Sequence, residues 1–211
     1  MKRDKVLILG TTPSWKEAPL GDSTWEVWGM NQLWKTWGSY ATRWFEIHPM
    51  SILLKDGWSD YSWLTKCQIP VYMVKHYAKV PSSIPYPMDE VSRGFIKQFS
   101  STFCYELALA IYEGFKTIGL YGVDFSKGSF RERFIEWRGV LYWLGVAAGR
   151  GIKIQFPKDG ENKLNHKYLY GLEYWAETDN VRNQIFTPFY ISLINYIDGL
   201  GHNYDYYRKG K

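Results

Sequence analysis

Four apolar residues in a row, Val6-Leu7-Ile8-Leu9, run straight into Gly10 and then into Thr11-Thr12-Pro13-Ser14. No other stretch limits the fold as much. An unbroken run of β-branched and Leu side chains, without alternation, predicts a short strand over residues 5–10 buried on both faces. Such strands belong to parallel sheets covered by helices. A sharp Gly turn with small hydroxylated residues commonly ends the first strand of an open α/β sheet, and these sheets hold ligands beyond the carboxyl ends of their strands. The turn offers backbone N–H groups and hydroxyls, which suits an anion such as a phosphate. A plain strand-to-loop turn without a ligand is the alternative. The G-x-G-x-x-G spacing is absent, so no dinucleotide is implied.

The same strand-then-helix alternation continues along the chain. Strands are expected at 25–30, 42–47, 70–74, 116–125 and 152–156. Helices are expected at 59–67 with Ser59 as a cap, at 100–114 between the caps Ser100-Ser101-Thr102 and the stop Gly114, and at 131–148. Residues 77–95 hold Pro81, Pro85 and Pro87 and read as a long connection of the kind that forms lids or binding segments. The expected fold class is therefore α/β: a Rossmann-like, mostly parallel sheet with helices on both faces. The pattern fails after residue 160. Residues 1–160 are expected to form a nucleotide-binding domain. Residues 161–211, rich in Tyr and with one helix at 184–198, are expected to form an extension that packs on the sheet, covers its cleft or pairs subunits into a homo-oligomer.

Composition narrows the function classes. The 211 residues are 45% hydrophobic, enough for a sizeable core. Aromatic residues make up 18%, and eight of the 11 Trp fall between Trp15 and Trp63. Most of these rings are read as core; a cleft that stacks bases or sugars is the second reading. A net charge of +5 permits an anionic partner, nucleotide or nucleic acid, without demanding one. Cys67 and Cys104 lie far apart and fit reduced core thiols in a cytoplasmic protein. The four-residue apolar run after the charged start is too short for a signal peptide or a membrane span, so a soluble, intracellular protein without membrane contact is expected. No His/Cys/Asp cluster has metal-ligand spacing, and there is neither a Walker loop nor a G-x-S-x-G elbow.

Several strand ends should converge at one sheet edge: Gly10 to Ser14, Asn31 and Asp124. Asn31 can donate and accept together, which suits a base edge or a sugar hydroxyl, or simply a turn. Ser101 and Thr102 open a helix and can hold a phosphate there or merely cap it. His48, fixed between a strand and Pro49, is the best-placed His for acid–base work, with a structural His as the alternative. Arg131, Glu132, Arg133, Glu136 and Arg138 form a dense charged patch after Asp124. It reads either as a solvated helix face or as an Arg clamp on phosphate with a carboxylate base beside it.

Taken in order, four blocks resemble a known family: Ile8-Leu9-Gly10-Thr11-Thr12-Pro13-Ser14, Trp25-Glu26-Val27-Trp28-Gly29-Met30-Asn31-Gln32, Ser101-Thr102 before an Ala-rich helix, and Gly114-Phe115-Lys116-Thr117-Ile118-Gly119-Leu120-Tyr121-Gly122-Val123-Asp124-Phe125. Over roughly residues 5–157 the chain resembles the family 42 bacterial sialyltransferases, the related MptE-like pyrophosphokinase group and a set of phage-encoded proteins with the same blocks. The resemblance implies a nucleotide or nucleotide-sugar site at Gly10, Thr11, Thr12, Ser14, Asn31, Ser101 and Thr102; the Arg-clamp reading of the charged patch would add Arg131 and Arg133 as phosphate contacts. Thr11 stands where the sialyltransferases carry Asn, Phe103 where they carry Gly, and Ser126 and Phe130 where they carry Tyr. Their general-base His, downstream of the Asp-Phe block, has no counterpart, because residues 126–151 contain no His.

Three functions follow as expectations. The first is a glycosyltransferase-like enzyme using a nucleotide-activated sugar, with Asp124, Glu132 or Glu136 as base and His48 in reserve; its acceptor hydroxyl lies on a glycan or, given the phage resemblance, on a nucleic acid in the host cytoplasm. The second is a non-catalytic protein that sequesters a nucleotide. The third is an MptE-like enzyme that transfers pyrophosphate or cleaves nucleotides, with a divalent metal on Asp124 and Glu132.

Overall fold

The computed structural model describes residues 3–55, 61–123 and 132–158. The apolar runs form seven strands: β1 (Lys5–Leu9), β2 (Trp25–Met30), β3 (Arg43–Glu46), β4 (Val71–Met73), β5 (Ser83–Pro85), β6 (Thr117–Tyr121) and β7 (Lys153–Gln155). They pair in the order β5-β4-β3-β2-β1-β6-β7, and every pairing is parallel. Between them run α1 (Trp34–Trp37), α2 (Met50–Leu53), α3 (Tyr61–Leu64), α4 (Met88–Val91), α5 (Thr102–Glu113) and α6 (Trp137–Gly149). The fold is α/β, as the alternation implies. The sheet and these helices lie in one compact unit, Met1–Asp124 with Glu136–Asn162. A second unit, Phe125–Ile135 with Lys163–Lys211, is described only over Glu132–Ile135.

Alternation along β1 separates two cores. Leu7 and Leu9 join Trp25, Val27, Trp44 and Met73, packed with Trp37 and Leu64. On the opposite face Trp28 meets Phe45 and Phe115 at ring separations of 5.1 and 5.4 Å, and Phe45 stacks on Tyr72 at 5.0 Å. Tyr86 and Tyr105 extend this ladder onto α5. Trp28, Trp37, Trp44 and Trp143 are fully buried, so those four rings serve the core. At the start of β3, Arg43 is held in a mostly buried network. It donates to Glu113 at 2.6 Å and to the Tyr72 hydroxyl at 3.2 Å, pairs with Glu26 at 2.8 Å, and lies over the Trp28 ring.

Several boundaries differ from those expected. Residues 77–95 are not one connection: they contain β5 and α4. The prolines hid this strand, yet Pro85 is tolerated because β5 ends the sheet and needs ladder bonds on one side only. Ser101 occupies the N-cap position of α5 without a side-chain cap bond, whereas Gly114 ends the helix as expected, in the left-handed conformation (φ 80°). The helix expected at 131–148 begins as a π-helical turn, Glu132–Glu136, before α6. Only Tyr61–Leu64 of the helix expected at 59–67 is helical among the described residues, and its cap Ser59 lies outside them, as does the helix expected at 184–198. Among the described residues no helix is long and apolar enough to cross a membrane.

Candidate functional site

The chain leaves β1 toward β2 on one side and returns after β5 to place β6 on the other. The carboxyl ends of β1 and β6 therefore flank the point where strand order reverses, and open sheets of this kind bind ligands there. Two glycines make that point close. The Gly10 amide donates to the Tyr121 carbonyl at 2.8 Å and the Thr12 amide to the Gly122 carbonyl at 3.0 Å, while the Gly122 amide donates to the Ser14 hydroxyl at 3.1 Å. A Cβ on Gly10 would overlap the Gly122 carbonyl oxygen, and one on Gly122, whose φ is +71°, would stand 2.5 Å from the Gly10 oxygen. Only glycine fits on either side.

This geometry changes the role read for the turn. The amides of Gly10 and Thr12 are committed to the neighbouring strand end rather than to an open anion cradle, and the Ser14 hydroxyl is a clamp between the two loops. Thr11 is exposed, and Thr12 is half-buried with its hydroxyl 3.4 Å from that of Ser14. Their side chains can still reach a ligand above the turn.

Asn31 follows β2 at the same edge. It is the only described non-glycine residue with positive φ, at 50°, and its Oδ1 is buried without a hydrogen-bond partner. Asn tolerates this conformation better than other residues. A buried acceptor left unpaired costs about 1–3 kcal/mol, so strain and desolvation coincide at one side chain. A ligand N–H or O–H would relieve the second. Ser101 and Thr102 open α5, which runs back against the strands. The Ser101 hydroxyl lies 3.5 Å from Cys104 Sγ, and Ser100 donates to the Glu136 carbonyl at 3.2 Å. Glu136 is half-buried at the start of α6.

His48 has a partner that sequence reading missed. Glu46, the last residue of β3, is fully buried. Its Oε1 lies 2.6 Å from His48 Nδ1 and also accepts from the His48 amide at 3.3 Å, while its Oε2 has no hydrogen-bond partner. The His48 side chain is 37% exposed. The signal was present: in the alternation Trp44-Phe45-Glu46 the acid takes an inward position two residues before His48. Glu106, in α5, was also missed. It is fully buried with both carboxyl oxygens unpartnered, and burial pushes its carboxyl well above the usual carboxylate range.

Asp124 and Arg131 lie outside the described residues, and only the backbone of Glu132 and Arg133, in the π-helical turn, is described. Among the described residues no three His, Cys, Asp or Glu side chains come together as a metal site. A separate cavity of about 270 Å³ lies toward the carboxyl end of α5, lined by Glu90, Arg93, Phe95, Tyr112 and Arg150 among others.

The chain has the fold of bacterial sialyltransferases. The apo alpha-2,3-sialyltransferase of Campylobacter jejuni is similar at 16% identity and a TM-score of 0.52, over 77% of this chain and 77% of that one. The monofunctional alpha-2,3-sialyltransferase Cst-I of Campylobacter jejuni is similar at 14% identity and a TM-score of 0.50, over 87% of this chain and 96% of that one. A variant of the sialyltransferase Cst-II in complex with CMP is similar at 16% identity and a TM-score of 0.50, over 72% of this chain and 80% of that one. At such identities the likeness is one of fold. No family model and no curated protein matches the chain.

Proposed function

We propose that this protein is a glycosyltransferase-like enzyme that binds a nucleotide-activated sugar in the crevice over β1, β2 and β6. The observation that carries the reading is Asn31. Its strained backbone and unpartnered buried oxygen stand beside the Gly10–Gly122 contact, at the reversal point of the sheet. Thr11, Thr12, Ser101 and Thr102 are the further nucleotide contacts in this reading, with Arg131 and Arg133 on phosphate. The fold is shared with sialyltransferases, one of them in complex with CMP, which supports a nucleotide donor. The acceptor in this proposal is a hydroxyl on a glycan or a nucleic acid, and the setting it proposes is a host cytoplasm, which the phage resemblance of the sequence blocks supports.

One observation favours a second reading, a non-catalytic nucleotide-binding protein: residues 126–151 lack the His that the family resemblance leads one to expect. A thermal-shift screen of nucleotides and nucleotide sugars, followed by product analysis of every hit, separates the two. Binding of an intact ligand raises the melting temperature by mass action. The transferase reading expects a nucleotide sugar to shift the melt and to be cleaved. A hit recovered intact under all conditions supports sequestration, and no shift by any nucleotide contradicts both.

A further inference from the structure

The register of the sheet carries the site one strand beyond Asn31. Trp28 pairs with Arg43 and Met30 with Phe45, so Asn31 and Glu46 leave β2 and β3 at the same level. Leu9 pairs with Tyr121, which sets Gly10 and Gly122 at that edge too. Strands are about 4.8 Å apart, so the end of β3 lies roughly 10 Å from the end of β1. The Glu46–His48 pair stands at that strand end. The Glu46 carboxyl is fully buried, and its one partnered oxygen is directed at His48 Nδ1 at 2.6 Å and the His48 amide at 3.3 Å. Burying an acid without a second set of donors is unfavourable. Here the partnered oxygen fixes His48. A carboxylate at Nδ1 holds the proton on that nitrogen and leaves Nε2 as the basic atom of the ring. The ring is partly exposed at the sheet edge, as a group that must reach a substrate has to be.

We infer that His48 is the catalytic base of the transfer and Glu46 its positioning residue, an inference that rests on the nucleotide-sugar reading above. His48 Nε2 takes the proton of the acceptor hydroxyl as that oxygen forms its bond to the anomeric carbon of the donor. The bond from that carbon to the donor phosphate oxygen breaks, and its electron pair leaves with the nucleotide. The imidazolium then passes its proton to water. This assigns the base to β3, on the opposite side of β1 from β6, whereas the family resemblance directs attention to the segment after β6. The absence of His from residues 126–151 then requires no loss of activity.

The test has two readouts on the full chain. The first needs no ligand: ¹⁵N NMR of the His48 ring in the wild type and in Glu46→Gln. The wild type is expected to carry its neutral-form proton on Nδ1, and Glu46→Gln to redistribute it. An identical ring pattern in both overturns the dyad. The second is nucleotide release from CMP-, UDP- and GDP-sugars, with water and with a mixed glycan acceptor. General bases contribute on the order of 10²–10⁴-fold. His48→Gly is expected to lower kcat by at least about 100-fold with donor KM within twofold, and added imidazole to restore part of it. Glu46→Gln is expected to lower kcat by roughly tenfold or more at unchanged KM. His48→Gly turning over within threefold of the wild type, or a wild-type protein that binds these donors and never cleaves them, overturns the assignment. If no donor binds at all, the nucleotide-sugar reading fails and the catalytic role falls with it, while the NMR result still decides whether the dyad exists.

Discussion

Replacing Gly10 by Ala places a methyl group between two strand ends that have no room for one. The new Cβ would overlap the Gly122 carbonyl oxygen, with the Gly122 carbonyl carbon at 2.7 Å and Val123 Cγ2 at 2.8 Å. Carbon atoms in contact prefer about 3.5–4.0 Å, so the loops after β1 and β6 must separate by roughly 1 Å. Two of the obstructing atoms are backbone and cannot rotate away. The separation strains three hydrogen bonds that join the loops: Gly10 to Tyr121, Thr12 to Gly122, and Gly122 to Ser14. Each is worth about 0.5–1.5 kcal/mol, and overpacking of this kind costs about 1–3 kcal/mol. A loss of about 3 kcal/mol is expected, which lowers the melting temperature of a domain this size by roughly 6–12 °C. Gly122→Ala should cost more still, because its φ of +71° adds about 1 kcal/mol for any side chain. Both substitutions open the same contact, so the double variant should cost less than the sum by about 1 kcal/mol or more. Urea unfolding followed by circular dichroism measures all three. Gly21, exposed and with nothing within 4 Å of an added Cβ, is the control and should change by no more than about 0.5 kcal/mol as Ala. Gly10→Ala no worse than Gly21→Ala would refute the close contact.

Two further outcomes concern buried charge. Burial opposes the charge of Arg43, but the hydrogen bond and charge of Glu113, and then the charge of Glu26, override it and hold the guanidinium above its ordinary value. Arg43→Ala leaves Glu26 and Glu113, both mostly buried, without that cation and should cost about 3–5 kcal/mol in urea unfolding; a cost under about 1 kcal/mol would contradict the network. Arg43→Lys should recover only part, since an ammonium cannot fork to both acids. For Glu106 the folded carboxyl titrates well above the ordinary value because burial disfavours the ion. Its contribution to stability is therefore complete below about pH 4.3 and is lost as pH rises toward the folded value, because the unfolded chain ionises first. The stability of Glu106→Gln relative to the wild type should rise with pH above that point, by up to about 1.4 kcal/mol per pH unit. A difference that is flat between pH 4 and 8 would show that Glu106 ionises normally.

The parts of the fold readable from sequence were those with a local cause. Val6–Leu9 and Ile118–Leu120 are apolar runs that must be buried on both faces, and Gly114 stops α5 because only glycine takes φ 80° freely. β5 was hidden because Pro81, Pro85 and Pro87 argue against a strand unless the strand is already known to lie at the sheet's end, which is a property of the whole topology. The site divides in the same way. Gly10 and Asn31 announce themselves by residue type and by position after a strand. The commitment of the Gly10 and Thr12 amides, and of the Ser14 hydroxyl, to the loop after β6 depends on a segment more than 100 residues away. Glu46 is marked by its place in the apolar run Trp44-Phe45-Glu46, whereas Glu106 reads as an ordinary surface acid until tertiary packing buries it. Asp124, Arg131 and the side chains of Glu132 and Arg133 fall outside what the structure describes.

The most direct test of a mononucleotide crevice at the reversal point is amide NMR during titration with CMP, UMP, GMP and AMP. One of these should move the resonances of Gly10, Thr11, Thr12, Ser14, Asn31, Ser101, Thr102 and Gly122 as a group, and Asn31→Ala should weaken that nucleotide by about tenfold, the equivalent of one lost hydrogen bond. Shifts gathered instead around Arg93, Phe95 and Arg150, or no shift with any of the four, would contradict it.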